Sequence, residues 1–162
     1  MTEDEFINAI EQHKAIIAKI CGSYTRHGED RKDLFSEITL QLWRSINKFR
    51  GDSELGTWIF RVSLNTAMNF KRKSKSNFIE LSPTKEVDSI VNLNISNDST
   101  WMEEMYECIN LLDKYSRGLI LLHLEGYSYN EIANIMGISH SNVGTKLSRI
   151  RTKLKDIYSS KQ

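Results

Sequence analysis

Apolar residues recur along most of this chain in steps of three and four. Phe6, Ile10 and Ile17, with His13 between them, share one face, followed by Ile20 and Tyr24. Leu34, Ile38, Leu42, Ile46 and Phe49 form a second stripe, and Trp58, Ile59, Val62 and Ala67 a third. This is the period of amphipathic α-helices. The pattern predicts a first helix through Phe6 to Tyr24, a connection from Gly28 to Lys32, and a long helix from Asp33 to Phe49. A further helix follows, capped by Ser53 and running into Lys71-Arg72-Lys73. Between the last two, Arg50-Gly51-Asp52 reads as a stop, because glycine past a helix end accepts the left-handed conformation that a Cβ opposes.

The last third has the sharper pattern. Leu111, Leu112, Leu119, Ile120, Leu122 and Leu124 predict one apolar helix ending at Gly126. Ser128-Tyr129-Asn130-Glu131 spells a capping box, in which the hydroxyl takes the amide three residues on and the carboxylate reaches back. A short helix from Glu131 to Met136 follows, with Gly137 breaking it and Ile138 in the turn. Ser139 then caps a last helix with Val143, Leu147, Ile150 and Leu154 facing inward. Helix, short turn, helix is the proportion of a helix-turn-helix, and small Ala133 lets the two axes approach.

The middle has no such order. Ser76 to Thr100 is rich in Ser and Asn and holds Pro83, the only proline. Over residues 81–104 Lys85 stands against Glu86, Asp88, Asp98, Glu103 and Glu104. Scattered apolar residues of this kind bury too little surface to offset ordering entropy. The expected fold is therefore all-α: two small helical domains, 1–77 and 104–162, joined by a flexible acidic linker, 78–103. The second domain contains the helix-turn-helix.

Composition narrows the function. The 162 residues are 40% apolar and 27% charged, with a net charge of +1. There is no global field for a polyanion, so nucleic-acid binding must come from local clustering. Eight glycines and one proline argue against a turn-rich β fold. No apolar run is long enough to span a bilayer, and the acidic start, Met1-Thr2-Glu3-Asp4-Glu5, does not resemble a secretory signal. A cytoplasmic protein without membrane insertion is expected. Cys21 and Cys108 form no metal-type motif and read as small core hydrophobes. His13, His27, His123 and His140 have no partners at diagnostic spacing, and phosphate loops, zinc motifs and nucleophile elbows are missing. No enzyme, metal or cofactor is expected.

Three helices carry candidate chemistry. The last exposes Asn142, Thr145, Lys146, Arg149 and Lys153. Asn and Arg can make bidentate contacts to adenine and guanine edges, while Lys and Thr contact phosphates or bases singly. The bland alternative is a solvated helix whose cations favour its C-terminal dipole. On the helix after Ser53, Arg61, Asn65, Asn69 and Arg72 fall on Thr57's side, with Trp58 at its edge. An aromatic beside amides and cations suits unstacked single-stranded bases. The same Trp58 fits a core, where a tryptophan on a helix more often lies. The long helix turns Asp33, Ser36 and Glu37 outward with Trp43 off its stripe, so Trp43 either marks a protein interface or packs on the first helix.

These residues resemble bacterial RNA polymerase sigma factors of the extracytoplasmic-function (ECF) branch. One segment runs from Asp33-Leu34-Phe35-Ser36-Glu37 through Leu42-Trp43 and Phe49-Arg50-Gly51-Asp52-Ser53. It continues in Thr57-Trp58-Ile59-Phe60-Arg61-Val62 and Asn65-Thr66-Ala67-Met68-Asn69. The other is Gly126 to Ala133, Met136-Gly137-Ile138-Ser139 and Val143 to Leu154. The resemblance implies that Asp33, Ser36, Glu37 and Thr39 dock on core RNA polymerase. It places the loop Gly51 to Gly56 and Asn65 at a flipped base of the minus-ten element, Trp58 at strand separation, Asn69 near the non-template strand, and Lys71 and Arg72 at backbone contacts, with Arg61 among the minus-ten contacts. Asn142, Thr145, Lys146, Ser148, Arg149 and Lys153 would face the minus-thirty-five element of promoter DNA. An anti-sigma factor is the implied regulatory partner. Gly144 stands where the family often has a basic residue, and Lys146 replaces a frequent Arg that makes a planar fork. The alternative is a stand-alone helix-turn-helix transcriptional regulator, which binds an operator without polymerase. A helical adaptor with a solvated basic tail is a third reading.

Overall fold

The computed structural model describes residues 1–70 and 100–161, the second stretch with side chains from residue 103. Every α-helix or strand among them is a helix, so the expected all-α class is what the chain forms. The chain divides into two compact units, Met1–Asp98 and Ser99–Gln162. The expected linker lies outside the described residues up to 99, and its last residues, from Thr100, are helical. Lys71-Arg72-Lys73 also lie outside, and the helix expected to run into them ends at Met68 with Asn69 as its C-cap.

The first unit holds α1 (Glu3–Tyr24), α2 (Gly28–Ser45) with a tighter 3-10 turn at Ile46–Lys48, and α3 (Leu55–Met68). Thr2 and Glu5 close a capping box on α1, and Glu3, Asp4 and Glu5 in the first turn suit the helix dipole. Each of the three helices packs on the other two. Phe6, Ile10, Ile17 and Ile20 of α1, Leu34, Phe35, Ile38 and Leu42 of α2, and Ile59, Phe60, Leu64 and Ala67 of α3 are the buried core. Gly51 takes φ +79°, the left-handed conformation expected of it.

The helix expected to reach Phe49 ends at Ser45, where the chain tightens into the 3-10 turn, and two helix starts differ from expectation as well. Gly28 to Lys32 is the first turn of α2 and not a connection. Glu29 and Lys32 are exposed while Asp30 and Arg31 are half-buried, and Glu29 and Asp30 favour a helix N-terminus, so polarity there did not mean a break. Helix α3 starts at Leu55 on Glu54, which makes no side-chain cap bond. Ser53 lies one residue too early to be the cap.

The second unit holds α4 (Thr100–Asn110), α5 (Lys114–Leu124), α6 (Tyr129–Met136) and α7 (His140–Ser160). The single apolar helix expected over Leu111 to Leu124 is thus only its second part. Leu111 and Leu124 are 49% and 52% exposed. Asp113 restarts the chain: its carboxylate accepts from the Ser116 amide at 3.0 Å and hydroxyl at 2.7 Å. Arg117 then folds back and donates to the Asn110 and Leu112 carbonyls at 2.7 and 2.8 Å, satisfying acceptors at the end of α4.

The capping box of Ser128 and Glu131 is present, and α6 opens at Tyr129, two residues before the expected start. Gly137 ends it at φ 70°, and Ser139 accepts from the Asn142 amide at the start of α7. Val143, Leu147 and Ile150 are buried as expected, and Leu154 is half-buried. Past the end of α7, Lys161 pairs with Glu107 of α4 at 2.8 Å. That hydrogen bond and charge hold the Glu107 carboxyl below its ordinary range. Among the described residues no helix is long and apolar enough to cross a membrane.

Candidate nucleic-acid and partner interfaces

Helix α7 separates its two roles by angle. Its core residues Val143, Leu147 and Ile150 are at most 4% exposed. Asn142, Thr145, Lys146, Arg149 and Lys153 are all exposed. At about 100° per residue they span roughly 100° of the helix, with Ser148, also exposed, about 60° further round. The face runs some 16 Å along the axis, at about 1.5 Å per residue. Its side chains supply amide, guanidinium and ammonium donors with no carboxylate among them. The Thr145 hydroxyl donates to the Ser141 carbonyl, which fixes its rotamer.

Arg151 and Gly144 do not belong to that face. Both lie on the opposite flank, toward α5 and α6. The Arg151 guanidinium donates to His123 Nε2 of α5 at 2.7 Å. A Cβ on Gly144 would lie 3.5 Å from the Tyr129 ring of α6. The bare backbone of Gly144 is therefore turned to a neighbouring helix and not to a ligand. The Tyr129 ring stands 6.2 Å from that of His123 and 5.7 Å from that of His140. The sequence placed none of these three-way contacts, because residues 28 apart share no local pattern.

On α3, Arg61, Asn65 and Asn69 are exposed along one side. Asn69 is the C-cap and donates its side-chain amide to the Asn65 carbonyl at 2.9 Å. Trp58 is half-buried, its ring 5.4 Å from Phe49, so it packs on one side and leaves area open on the other. Neither sequence reading of Trp58, pure core or free platform, describes it alone. Lys71 and Arg72 lie outside the described residues.

On α2, Asp33, Ser36 and Glu37 are exposed. Thr39 is half-buried, and its hydroxyl is spent on the Phe35 carbonyl at 2.9 Å. Trp43 meets Phe6 of α1 edge-on at 4.9 Å between centroids and is still 43% exposed. Leu40, one turn before it, is 42% exposed. Sequence reasoning passed over Leu40. Its signal was a leucine outside the Leu34, Ile38, Leu42 stripe. Acids and apolar residues thus share one continuous side of α2.

No catalytic constellation accompanies these faces among the described residues, and no group of His, Cys, Asp or Glu there is arranged to hold a metal. Cys21 and Cys108 are both buried. Burial pushes the Cys21 thiol up to about 12, against the opposing charge of Arg31. It is a core residue, as its sequence context suggested.

Two family models match the chain: Sigma-70 region 2 over residues 9–77 and Sigma-70, region 4 over residues 102–154. The chain is 31% identical over 154 residues to the ECF RNA polymerase sigma-E factor of Escherichia coli strain K12, covering 86% of this chain and 78% of that protein. It is 29% identical over 140 residues to the RNA polymerase sigma factor YlaC of Bacillus subtilis, covering 81% and 79%. Among solved structures it is similar to CnrH in complex with the cytosolic domain of CnrY, with a TM-score of 0.67, 20% identity, and 99% and 92% of the two chains covered. It is also similar to the sigma factor RpoE of Bartonella quintana in complex with the anti-sigma factor NepR. There the TM-score is 0.63, the identity 16%, and the coverage 98% and 99%. At those identities the structural likeness speaks to fold alone.

Proposed function

Since the chain belongs to the RNA polymerase sigma factors, in their extracytoplasmic-function branch, we propose that it brings core RNA polymerase to promoters and opens them. The observation that carries this reading is the pairing, within one chain, of two helical units that each present an exposed polar face on a well-packed helix. In the first unit, Asn65 and Asn69 hydrogen-bond the edges of unstacked minus-ten bases. Trp58 offers a π-face, and Arg61, Lys71 and Arg72 neutralise phosphates. Trapping those bases opens the duplex without breaking a covalent bond, so the chain is no enzyme.

In the second unit, α7 enters the major groove of the minus-thirty-five element. Asn142 and Arg149 read base edges, and Thr145, Lys146, Ser148 and Lys153 add single contacts. Asp33, Ser36, Glu37 and Thr39 hold the polymerase. The domain boundaries 1–77, 78–103 and 104–162 belong to this reading. So do a cytoplasmic location, the absence of a cofactor, and control by an anti-sigma factor.

A net charge of +1 gives the free chain little pull on DNA. Polymerase supplies the missing affinity by fixing both units at the spacing of the two elements, which makes the second contact intramolecular. The test is direct. Purified chain and core polymerase are incubated with genomic promoter fragments, and transcripts are mapped. Discrete start sites that need both proteins are expected. Tight operator binding by the chain alone, with no such transcripts, would instead establish the stand-alone regulator.

A further inference from the structure

His123 and Arg151 form a contact that the promoter-reading scheme does not use. Arg151 is on α7, about 180° from the face of Asn142, Lys146 and Arg149. Its guanidinium donates to His123 Nε2 on α5 at 2.7 Å. Guanidinium nitrogens only donate, so Nε2 must be the accepting nitrogen of a neutral ring whose proton sits on Nδ1. The bond joins α5 to the helix that carries the DNA face. Around it, α5, α6 and α7 all pack on one another.

Tyr129 of α6 stands against the His123 ring, and Arg151 approaches from α7. The ring of His140 of α7 is 5.7 Å from that of Tyr129, and Glu125 caps the end of His123's own helix. A second proton on the imidazole removes the acceptor and leaves two cations in contact. Imidazole is the side chain that makes this change between about pH 5 and 8.

We infer that His123 is a positioning residue for promoter reading: as a neutral imidazole it holds Arg151 and so fixes the orientation of α7 in the second unit, and protonation releases that hold. This rests on the assignment of α7 to promoter DNA, but the bond itself is testable without it. Arg151 is exposed, and in this reading its guanidinium is engaged by His123 and not by phosphate.

The free full-length chain gives the first test. Unfolding of the wild type, H123A, R151A and the double variant is followed at pH 7.5 and 5.5. At pH 7.5 the two single changes should each lower the midpoint, and the double variant should fall no further than either alone. At pH 5.5 that coupling should disappear. Additive losses at both pH values would overturn the inference.

The second test uses holoenzyme, reconstituted from the full chain and core polymerase, on a promoter fragment it selects from genomic DNA. Wild-type promoter occupancy should fall roughly five- to tenfold from pH 7.5 to 5.5 relative to H123Q, the scale of one hydrogen bond. Gln still offers an acceptor oxygen and takes no proton in this range. Retention of the chain by core polymerase should not change. H140Q should keep the wild-type profile. If H123Q shares that profile, or if H140Q is the variant that flattens it, the assignment to His123 is wrong. A wild-type holoenzyme that selects no promoter would refute the proposed function, while the unfolding cycle would still decide the His123–Arg151 bond.

Discussion

Gly144 and Gly56 both lack a side chain in a helix, and the space each leaves is different. Beside Gly144 an added methyl meets the Tyr129 ring at 3.5 Å, an ordinary contact. Gly144→Ala should therefore gain helix propensity and raise stability by about 0.5–1 kcal/mol in urea unfolding. At Gly56 the methyl would lie 3.0 Å from His13 Nε2. That ring is tethered, since its Nδ1 donates to the Ala9 carbonyl at 2.8 Å. Gly56→Ala should lower stability by about 1–2 kcal/mol through overpacking between α1 and α3. A gain at Gly56 would show that His13 moves freely. Ser63 makes a third case. Its hydroxyl is fully buried on α3 with no hydrogen-bond partner among the described residues. Ser63→Ala should be neutral or stabilising by up to about 1 kcal/mol, because it removes a desolvated group that gains nothing. A loss beyond 1 kcal/mol in the same unfolding assay would contradict that reading.

At the scale of the element, the break before α5 decides the fold of the second unit. Asp113 starts that helix. Partial burial works against its ionisation, but the hydrogen bonds from Ser116 and the neighbouring amides outweigh it and hold the carboxyl below its ordinary range. Because the native value is depressed, the cap's benefit is complete above the ordinary carboxylate range. It is lost as pH falls through the native value. Asp113→Ala should cost about 1 kcal/mol at pH 7. The variant and wild type should converge in acid, read by circular dichroism against urea. Equal differences at both ends of the pH range would mean that charge plays no part.

What the sequence revealed about these elements follows from locality. The Ser128–Glu131 box, the Gly137 stop, the Ser139 cap and the Val143, Leu147, Ile150 stripe all lie within a few residues of what they control. Each was legible. The Gly28 start of α2 was hidden because exposed charges describe a surface turn of helix as well as a loop. The run from Leu111 to Leu124 concealed Asp113 because apolar residues were counted without their phase. Leu40, Tyr129 against Gly144, and His123 with Arg151 depend on which helix lies alongside which. Nothing in the local sequence encodes that.

For the whole molecule, the division of labour between two units makes separable losses the expected result. Glu37→Lys reverses a charge on the α2 side and should weaken retention by core polymerase at least tenfold, measured by co-purification. Unchanged retention would remove Glu37 from that interface. Asn65→Ala should leave retention intact and reduce open-complex formation, measured by permanganate reactivity of promoter thymines. Equal loss of both, or of neither, would count against base capture. Cutting the chain between residues 77 and 104 should weaken initiation even with both halves supplied, because polymerase must then capture each unit in a separate event before it can fix them at their spacing. Full activity from the severed halves would show that polymerase alone holds the units at their spacing.

Helix α7 carries one more consequence. It is 21 residues long, yet beyond Ile150 only Leu154 and Ile157 are even partly covered. Its far end is moored to the rest of the unit by the solvent-washed pair of Lys161 and Glu107. Ions in the medium screen such a mooring. In brine the end of this helix should loosen first, and within the second unit trypsin's earliest cuts should fall at Lys153 and Lys155, trimming the tail while the body of the unit stays whole.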